Sequence, residues 1–427
     1  MAAPSRTPQR RLRAIFIGRD FARLWGSFGL TNLGDGVMLA AGPLLVASLT
    51  DRPFLVAAAA FVQQLPWLIF GLISGVAVDR LDRKTIMVVV NLCRASVLAL
   101  LAGCVFVDLA SIYLVYLALF LLGVAETLAD NAGLALVAQV VSPELLGTAN
   151  SRLIGTMTIT NQLAGPPLGA LLFSVAAGLP IGVNALCLCL AAALVSRVRA
   201  ESSPETAATS VSPPRCARPR RSVGADIRAG VGFLWAHPGL RTLALAILGM
   251  NVTFMAAFSV WVLYVRDLLG LSAVGFGLLT TVGAVGGLVG VVLFPRLEGR
   301  FATSTLLRVG LVTETLTHLA LALGRHWVSA AVTMLVFGCH ASVWGSVALS
   351  ARQRATPQHL MGRVNSVYQV FSVGGAAVGA LIGGVVAQTF TVVTPFWFGF
   401  VGMVVTTFVA WRQVVLVETE QLQPVDS

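Results

Sequence analysis

Apolar stretches of about 20 residues or more recur along this chain with short clusters of charge between them, a length that crosses about 30 Å of hydrocarbon as helix. Twelve are read, at 24–49, 54–78, 85–107, 111–141, 145–176, 178–197, 240–265, 272–295, 303–324, 327–351, 358–388 and 391–414. A composition of 57% hydrophobic and 11% charged residues, with a mean hydropathy of +0.86, excludes a water-soluble domain of this size. The expected fold is therefore all-α and membrane-embedded, with an even number of crossings and both termini on one side. The first stretch is long and lacks a small-residue cleavage site, so it reads as a retained helix rather than a removed signal peptide.

Charge placement fixes the orientation and excludes nucleic acid as a partner. With the N-terminus in the cytoplasm, 25 of the 29 Lys and Arg residues fall at cytoplasmic loops and ends, from Arg6–Arg23 through Arg80–Lys84 to Arg412, as membrane insertion requires. Arg52, Arg266 and Arg325 face outward, and Arg94 is left within a span. Five cysteines sit in apolar stretches and Cys216 in a polar one, with no disulfide or metal-ligand spacing. Lys84 is the sole lysine and alanine is abundant, a bias that points to a bacterial chain and so to a bacterial cytoplasmic membrane.

Residues 200–222 are rich in Ser, Thr, Pro and Arg and carry no apolar period, which reads as a disordered cytoplasmic connector. It divides the spans six and six. The expected organisation is a basic N-terminus at 1–23, a six-helix bundle at 24–199, a linker at 200–239, a second bundle at 240–414 and a tail at 415–427. Within the linker, Ile227, Val231 and Leu234 share one helical face, so an amphipathic helix is predicted, lying on the inner membrane surface or serving simply as a stiff strap between the halves. An internal repeat appears at an offset of 215 residues: Leu-Leu-Gly-Thr-Ala-Asn-Ser at 145–151 matches Leu-Met-Gly-Arg-Val-Asn-Ser at 360–366. The same shift lays Gly75 on Gly290 and Gly169 on Gly384. Ser142-Pro143 and Thr356-Pro357 each read as an N-cap with Pro at the first helical position. Two parallel repeats place a substrate site between the halves near mid-bilayer, worked by rocking one half against the other.

Between the second and third spans the chain reads Gly75-Val-Ala-Val-Asp79-Arg80-Leu-Asp82-Arg83-Lys84. This resembles the loop signature of the major facilitator superfamily, in which Gly75 lets two helices approach and Asp79 meets a helix N-terminus. The resemblance implies a cytoplasmic latch made by Gly75, Asp79, Arg80, Arg83 and Lys84 against the eleventh span near Gly362-Arg363. Asp82 stands where the family usually has a small residue. In the fifth span, Gly165-Pro166-Pro167-Leu-Gly169-Ala170 resembles the Gly-Pro-x-x-Gly-Gly signature of exporters, with Ala170 in place of the last Gly. Gly165 and Gly169 form a smooth strip and Pro166 permits a bend, which serves helix packing as well as direction of transport. Together with Asn-Leu-Gly-Asp35-Gly in the first span, the whole chain from about 15 to 415 is similar to the enterobactin-exporter and macrolide-efflux branch. It departs from many drug:proton antiporters in the fourth span, where Glu126 and Asp130 replace an Arg-centred motif.

Ionisable groups in hydrocarbon are functional candidates because burying them unpaired costs several kcal/mol. Asp35, near mid-bilayer, is the first choice for a proton carrier, with Asn32 one turn before it to hold the carboxyl. Glu126 and Asp130 share a face, so one holds a proton more readily; alternatively, either pairs with Arg94. Glu314 and His318 read as a structural pair on a peripheral helix, and His340, alone on its span, as a group that packs or hydrogen-bonds rather than carrying protons. Trp25, Phe28, Asn32, Asn131, Asn161, Gln162, Asn251, Trp261 and Trp344 lie on spans that can line a cavity.

There is no phosphate-binding Gly-x-x-x-x-Gly-Lys-Ser loop and no His/Cys ligand cluster, so no cofactor or metal is expected and the energy source is an ion gradient. The leading reading is a proton-coupled antiporter exporting small hydrophobic or amphiphilic molecules, drug-, antibiotic- or siderophore-like, and acting as a monomer because one chain supplies both halves. A uniporter or importer of the same fold, and a non-transporting scaffold or sensor, are the rival readings. An intramembrane enzyme would need a nucleophile and base that the spans do not offer.

Overall fold

Within hydrocarbon a helix is the one open-ended structure that satisfies every backbone N–H and C=O inside its own segment, and the apolar stretches fold accordingly. The computed structural model describes residues 18–78, 82–199 and 223–422, and no strand occurs among them. The first six spans are α1 (Arg19–Leu49), α2 (Pro53–Val78), α3 (Arg83–Phe106), α4 (Ile112–Val140), α5 and α6 (Leu179–Ser196). α5 is composite: an α-helix Leu146–Met157, a π-helical turn Thr158–Ala164, and an α-helix Gly165–Val175. After the connector come α7 (Val223–Ala236), α8 (Pro238–Phe258), α9 (Ala273–Glu298), α10 (Thr303–Leu323), α11 (Trp327–Ala355), α12 (Met361–Thr389) and α13 (Thr394–Leu422). Among the described residues eleven helices are long and apolar enough to cross a membrane. Composite α5, of similar total length, is consistent with a twelfth.

Local chemistry sets several ends. Asp82 caps α3, its carboxylate accepting from the Thr85 backbone N–H at 2.8 Å and from the Thr85 hydroxyl at 2.6 Å. Those two bonds hold its pKa below the usual 3.8, so the residue that departs from the family pattern serves as the N-cap. Ser142 and Thr356 do not start α5 and α12 directly. A turn intervenes in each case, and the helices begin at Leu146 and Met361, which preserves the 215-residue repeat. The seventh span, expected to run to 265, ends as α8 at Phe258 and continues through a short helical turn, Trp261–Leu263, into a π turn, Tyr264–Leu268.

Packing divides the described chain into two compact units. The first takes in 18–41, 69–78, 82–110 and 117–199; the second takes in 42–68, 111–116 and 223–422. In the first, α3 lies along α6, and Phe21, Leu24, Leu136, Leu153 and Val195 form a buried cluster. In the second, α8 packs on α12 and α13, and α9 and α10 pack on α11. α7 is helical as expected and packs on the second unit. Leu234 is buried in the second unit's core while Val231 is exposed, and a Cβ at Gly230 would lie 2.9 Å from the Arg363 carbonyl oxygen. The helix is thus docked on the start of α12 by one buried residue and a close backbone approach.

Candidate functional site

Asp35 lies 16 residues into α1 and 14 from its end, about 20 Å from either at 1.5 Å per residue. Arg94 has the same central position in α3. The two meet: Arg94 Nη2 donates to Asp35 Oδ1 at 2.7 Å, with the Arg94 side chain 7% exposed and that of Asp35 26% exposed. Asp35 thereby has a buried cation on one side and an accessible face on the other. The α1 carboxylate is thus a partner of Arg94 beyond the α4 acids Glu126 and Asp130, either of which the sequence left open as its counter-charge. Glu126 is half-buried at the middle of α4, whereas the side chains of Asp130 and Asn131 lie outside the described residues.

Asn32 does not act as expected for the Asp35 carboxyl. Its amide donates to the Phe28 carbonyl one turn back at 2.9 Å, while its own backbone carbonyl accepts from Asn161 Nδ2 of α5 at 3.3 Å. This cross-link is possible because α1 and α5 touch through glycine. A Cβ at Gly165 would lie 2.5 Å from the Gly36 backbone, and one at Gly169 would collide with the Val37 carbonyl. Immediately before that strip the backbone adopts the π turn Thr158–Ala164, in which Gln162 is exposed and Asn161 half-buried. Pro166 and Pro167 supply no N–H for the carbonyls of Gln162 and Leu163, and widening the helix accommodates that loss. The paired prolines were the available signal for the turn. Nearer the N-terminus of α1, Trp25 donates from Nε1 to Thr156 Oγ1 at 2.7 Å and stacks on Phe21.

The remaining candidates separate. Gly75 falls in the last turns of α2, Asp79 and Arg80 lie outside the described residues, and Arg83 and Lys84 open α3. Asn251 belongs to the second unit, bonded to the Ile247 carbonyl at 2.9 Å and to Ser372 Oγ at 3.3 Å. Trp261 and Trp344 are buried, so neither lines an open cavity; large flat rings fill helix contacts there instead. The expected Glu314–His318 pair is present, and His340 of the neighbouring helix joins it. Glu314 Oε2 lies 2.9 Å from His340 Nε2, while His318 Nε2, equally buried, stands 3.8 Å from Oε1. A cross-helix pair of this kind has no signature in spacing along one helix.

Comparison with known proteins places these features in a family. The sequence model of the transmembrane secretion effector family, within the major facilitator superfamily, matches residues 14–427. The chain is 26% identical over 374 residues to the multidrug efflux pump Tap of Mycolicibacterium fortuitum, covering 83% of this chain and 86% of that protein. It is 25% identical over 383 residues to the enterobactin exporter EntS of Shigella boydii serotype 4 (strain Sb227), covering 88% and 85%. Among solved structures, the nucleoside transporter NupG superposes with a TM-score of 0.69 at 13% identity, over 92% of this chain and 98% of that one. A bacterial homologue of the iron transporter ferroportin in its inward-facing state gives 0.70 at 18% identity, over 95% and 99%. These structural likenesses establish the fold.

Proposed function

The chain belongs to the transmembrane secretion effector family and is a multi-pass membrane transporter of the major facilitator fold, and from that premise we propose a proton-coupled exporter of small hydrophobic or amphiphilic molecules. The observation that carries the coupling is the Asp35–Arg94 pair at mid-helix depth. Export is supported by the named activities of Tap and EntS and by the Gly165-Pro166-x-x-Gly169 strip, which packs on α1 one residue past Asp35. The membrane is taken as a bacterial cytoplasmic one, with both termini inside.

The ion pair makes a two-state element. With Asp35 ionised, its charge offsets that of Arg94 and α1 is tied to α3. A proton arriving at the open face of Asp35 removes that negative charge and raises the cost of the buried Arg94 cation, since charge at this depth is worth several kcal/mol. Hydration or an anionic or polar group of the substrate then offsets the cost, so protonation and substrate occupancy are linked through one residue. The exposed Gln162 and the half-buried Asn161 on the π turn supply hydrogen-bonding groups beside the same stretch of α1, and the half-buried Glu126 of α4 is the acid we assign, with Asp130, to proton exchange with Asp35. Rocking of the two halves about this site, with Asp79 and its neighbours latching the start of α12, completes an alternating-access cycle.

The test is gradient-driven efflux in proteoliposomes carrying the purified protein, read with ethidium, a macrolide, a tetracycline and a siderophore. Wild-type protein should export at least one of these when an imposed proton gradient is present, with protons moving oppositely. Asp35→Asn should insert and fold yet lose gradient-driven export. Full export by that variant would overturn the assignment of Asp35.

A further inference from the structure

The second unit holds a buried ionisable cluster that the Asp35 mechanism does not use. Glu314 lies about 15 Å from either end of α10 at 1.5 Å per residue, and its side chain is 2% exposed. An isolated carboxylate there would be expensive, and two imidazoles reduce the cost. His340 of α11, 6% exposed, meets Oε2 at 2.9 Å; His318, 2% exposed and one turn along α10, approaches Oε1 at 3.8 Å. Both ring nitrogens of His318 are buried without a hydrogen-bond partner. An unpartnered imidazole costs stability, and its retention beside a carboxylate is unexplained by packing alone.

The surrounding backbone is shaped to admit these rings. A Cβ at Gly310 would lie 2.6 Å from the Trp344 ring and 3.2 Å from His340 Cε1, and one at Gly399 of α13 would lie 2.7 Å from His318 Cε1. On its other side His318 borders a small, mainly apolar cavity lined also by Phe254, Phe258, Trp261 and Thr317. Among the described residues, no competing charge faces the cluster from the helices packed on it. α13 presents Gly399, while its Arg412 and Glu418 lie beyond, Glu418 accepting from Ser304. α8 presents Phe254 and Phe258; α11 adds Phe337, Trp344 and the thiol-bearing neighbour Cys339; Arg296 and Glu298 close the far end of α9, with Glu298 held by Arg354. Tyr264 donates its hydroxyl to the Leu321 carbonyl, one turn past His318.

We propose that Glu314, His318 and His340 form a second proton-exchange site, which loads and releases one proton during transport independently of Asp35. One resident proton makes the cluster neutral, on His340 with Glu314 ionised or on Glu314 with both imidazoles neutral; releasing it leaves one negative charge. His318 is the entry group: one ring nitrogen accepts a proton from hydronium in water that enters the bordering cavity as the protein moves, while the other delivers its proton to Glu314 Oε1, so the solvent loses one proton and the carboxylate gains it. The role in transport rests on the proton-coupled reading above, whereas the existence of the site does not.

The experiment is the pH-induced infrared difference spectrum of the reconstituted full-length protein, paired with ethidium efflux driven by a proton gradient. Wild type should show a titrating carboxyl band that disappears in Glu314→Gln and shifts its midpoint in His340→Asn, while His318→Asn slows its appearance after a pH jump. Each variant is first checked for wild-type monodispersity and melting, and Glu314→Gln retains hydrogen-bonding capacity toward His340. Identical difference spectra for wild type and Glu314→Gln would overturn the site whatever the efflux assay gives. If the band is lost as expected but wild type moves no ethidium against the gradient, the site stands and the exporter reading falls for that substrate. Gradient-driven efflux unaltered in Glu314→Gln despite loss of the band would overturn the role in transport.

Discussion

Arg94 is held almost wholly out of solvent at the centre of α3, and the free energy of that placement depends on what stands beside it. Neutralising Asp35 alone or Arg94 alone leaves the other member less well matched, whereas removing both leaves a polar but uncharged contact. Asp35→Asn and Arg94→Gln are therefore each expected to destabilise the purified protein, and the double variant to recover part of the loss, with a coupling energy of about 1–3 kcal/mol. Thermal unfolding of the four proteins in one detergent checks this, and additive effects would show that the pair contributes no coupling. The identity and depth of Asp35 and Arg94 were readable because an ionisable residue inside an apolar stretch is conspicuous. Their pairing was not readable, since α1 and α3 are far apart in sequence and α4 offered two acids at the same depth. Glu314 and His340 repeat the lesson: the i, i+4 neighbour His318 was visible, and the closer partner on another helix was not.

At the scale of elements, α5 and α3 show how short sequences set a helix's course. The π turn in α5 arises where Pro166 and Pro167 withdraw two donors, and the glycine strip then brings α1 within backbone contact. Gly169→Leu must displace α1 and is expected to prevent folding, lowering the yield of monodisperse protein. Pro166→Ala restores one donor, favours α-helical register across the turn, and is expected to preserve folding while reducing transport. Intact transport by a Pro166→Ala protein would show that the turn is a packing feature only. For α3, Asp82→Ala should cost about 1 kcal/mol through loss of the cap. The pH dependence has a definite sign. Because folding lowers the Asp82 pKa below 3.8 through its bonds to Thr85, its contribution is complete above 3.8 and is lost as pH falls through the lower folded-state value. Asp82→Asn should keep capping yet flatten that acid limb in a melting series. The spans and the repeat were legible because hydrophobic length and turn chemistry are local, while the connector at 200–222 lies outside the described residues; the docking of α7 was not legible, because its face chooses α12 only when both are present.

At the scale of the molecule, α1 and α2 each contribute residues to both compact units, so any motion that rocks the two sequence halves must part residues 42–68 from the helices after the connector. Several contacts hold that segment, among them a buried cluster of Ala57, Val260 and Ala387. Arg266 donates to the Ala47 carbonyl at 2.9 Å and reaches Asp51 at 3.3 Å; the Phe54 N–H meets Gln388 Oε1 at 3.4 Å; and a Cβ at Gly384 would lie 2.8 Å from that of Ala57. Asp51 is 94% exposed, and such a surface ion pair contributes about 0–1 kcal/mol. Asp51→Asn should therefore change transport little, and the close approach of α2 to α12 is the contact whose opening matters. Cysteines at Ala57 and Gly384, in a background lacking the six native cysteines, would have Cβ atoms closer than the roughly 3.8 Å of a disulfide, so a small parting of α2 from α12 brings them to bonding geometry. Oxidation should join them and stop transport, and reduction should restore it, because an alternating carrier cannot cycle with one face tied. Transport that continues at the wild-type rate with the disulfide fully formed, verified by mass spectrometry, would mean that residues 42–68 move with the second unit throughout the cycle, and the moving boundary would then lie within α1 and α2 themselves.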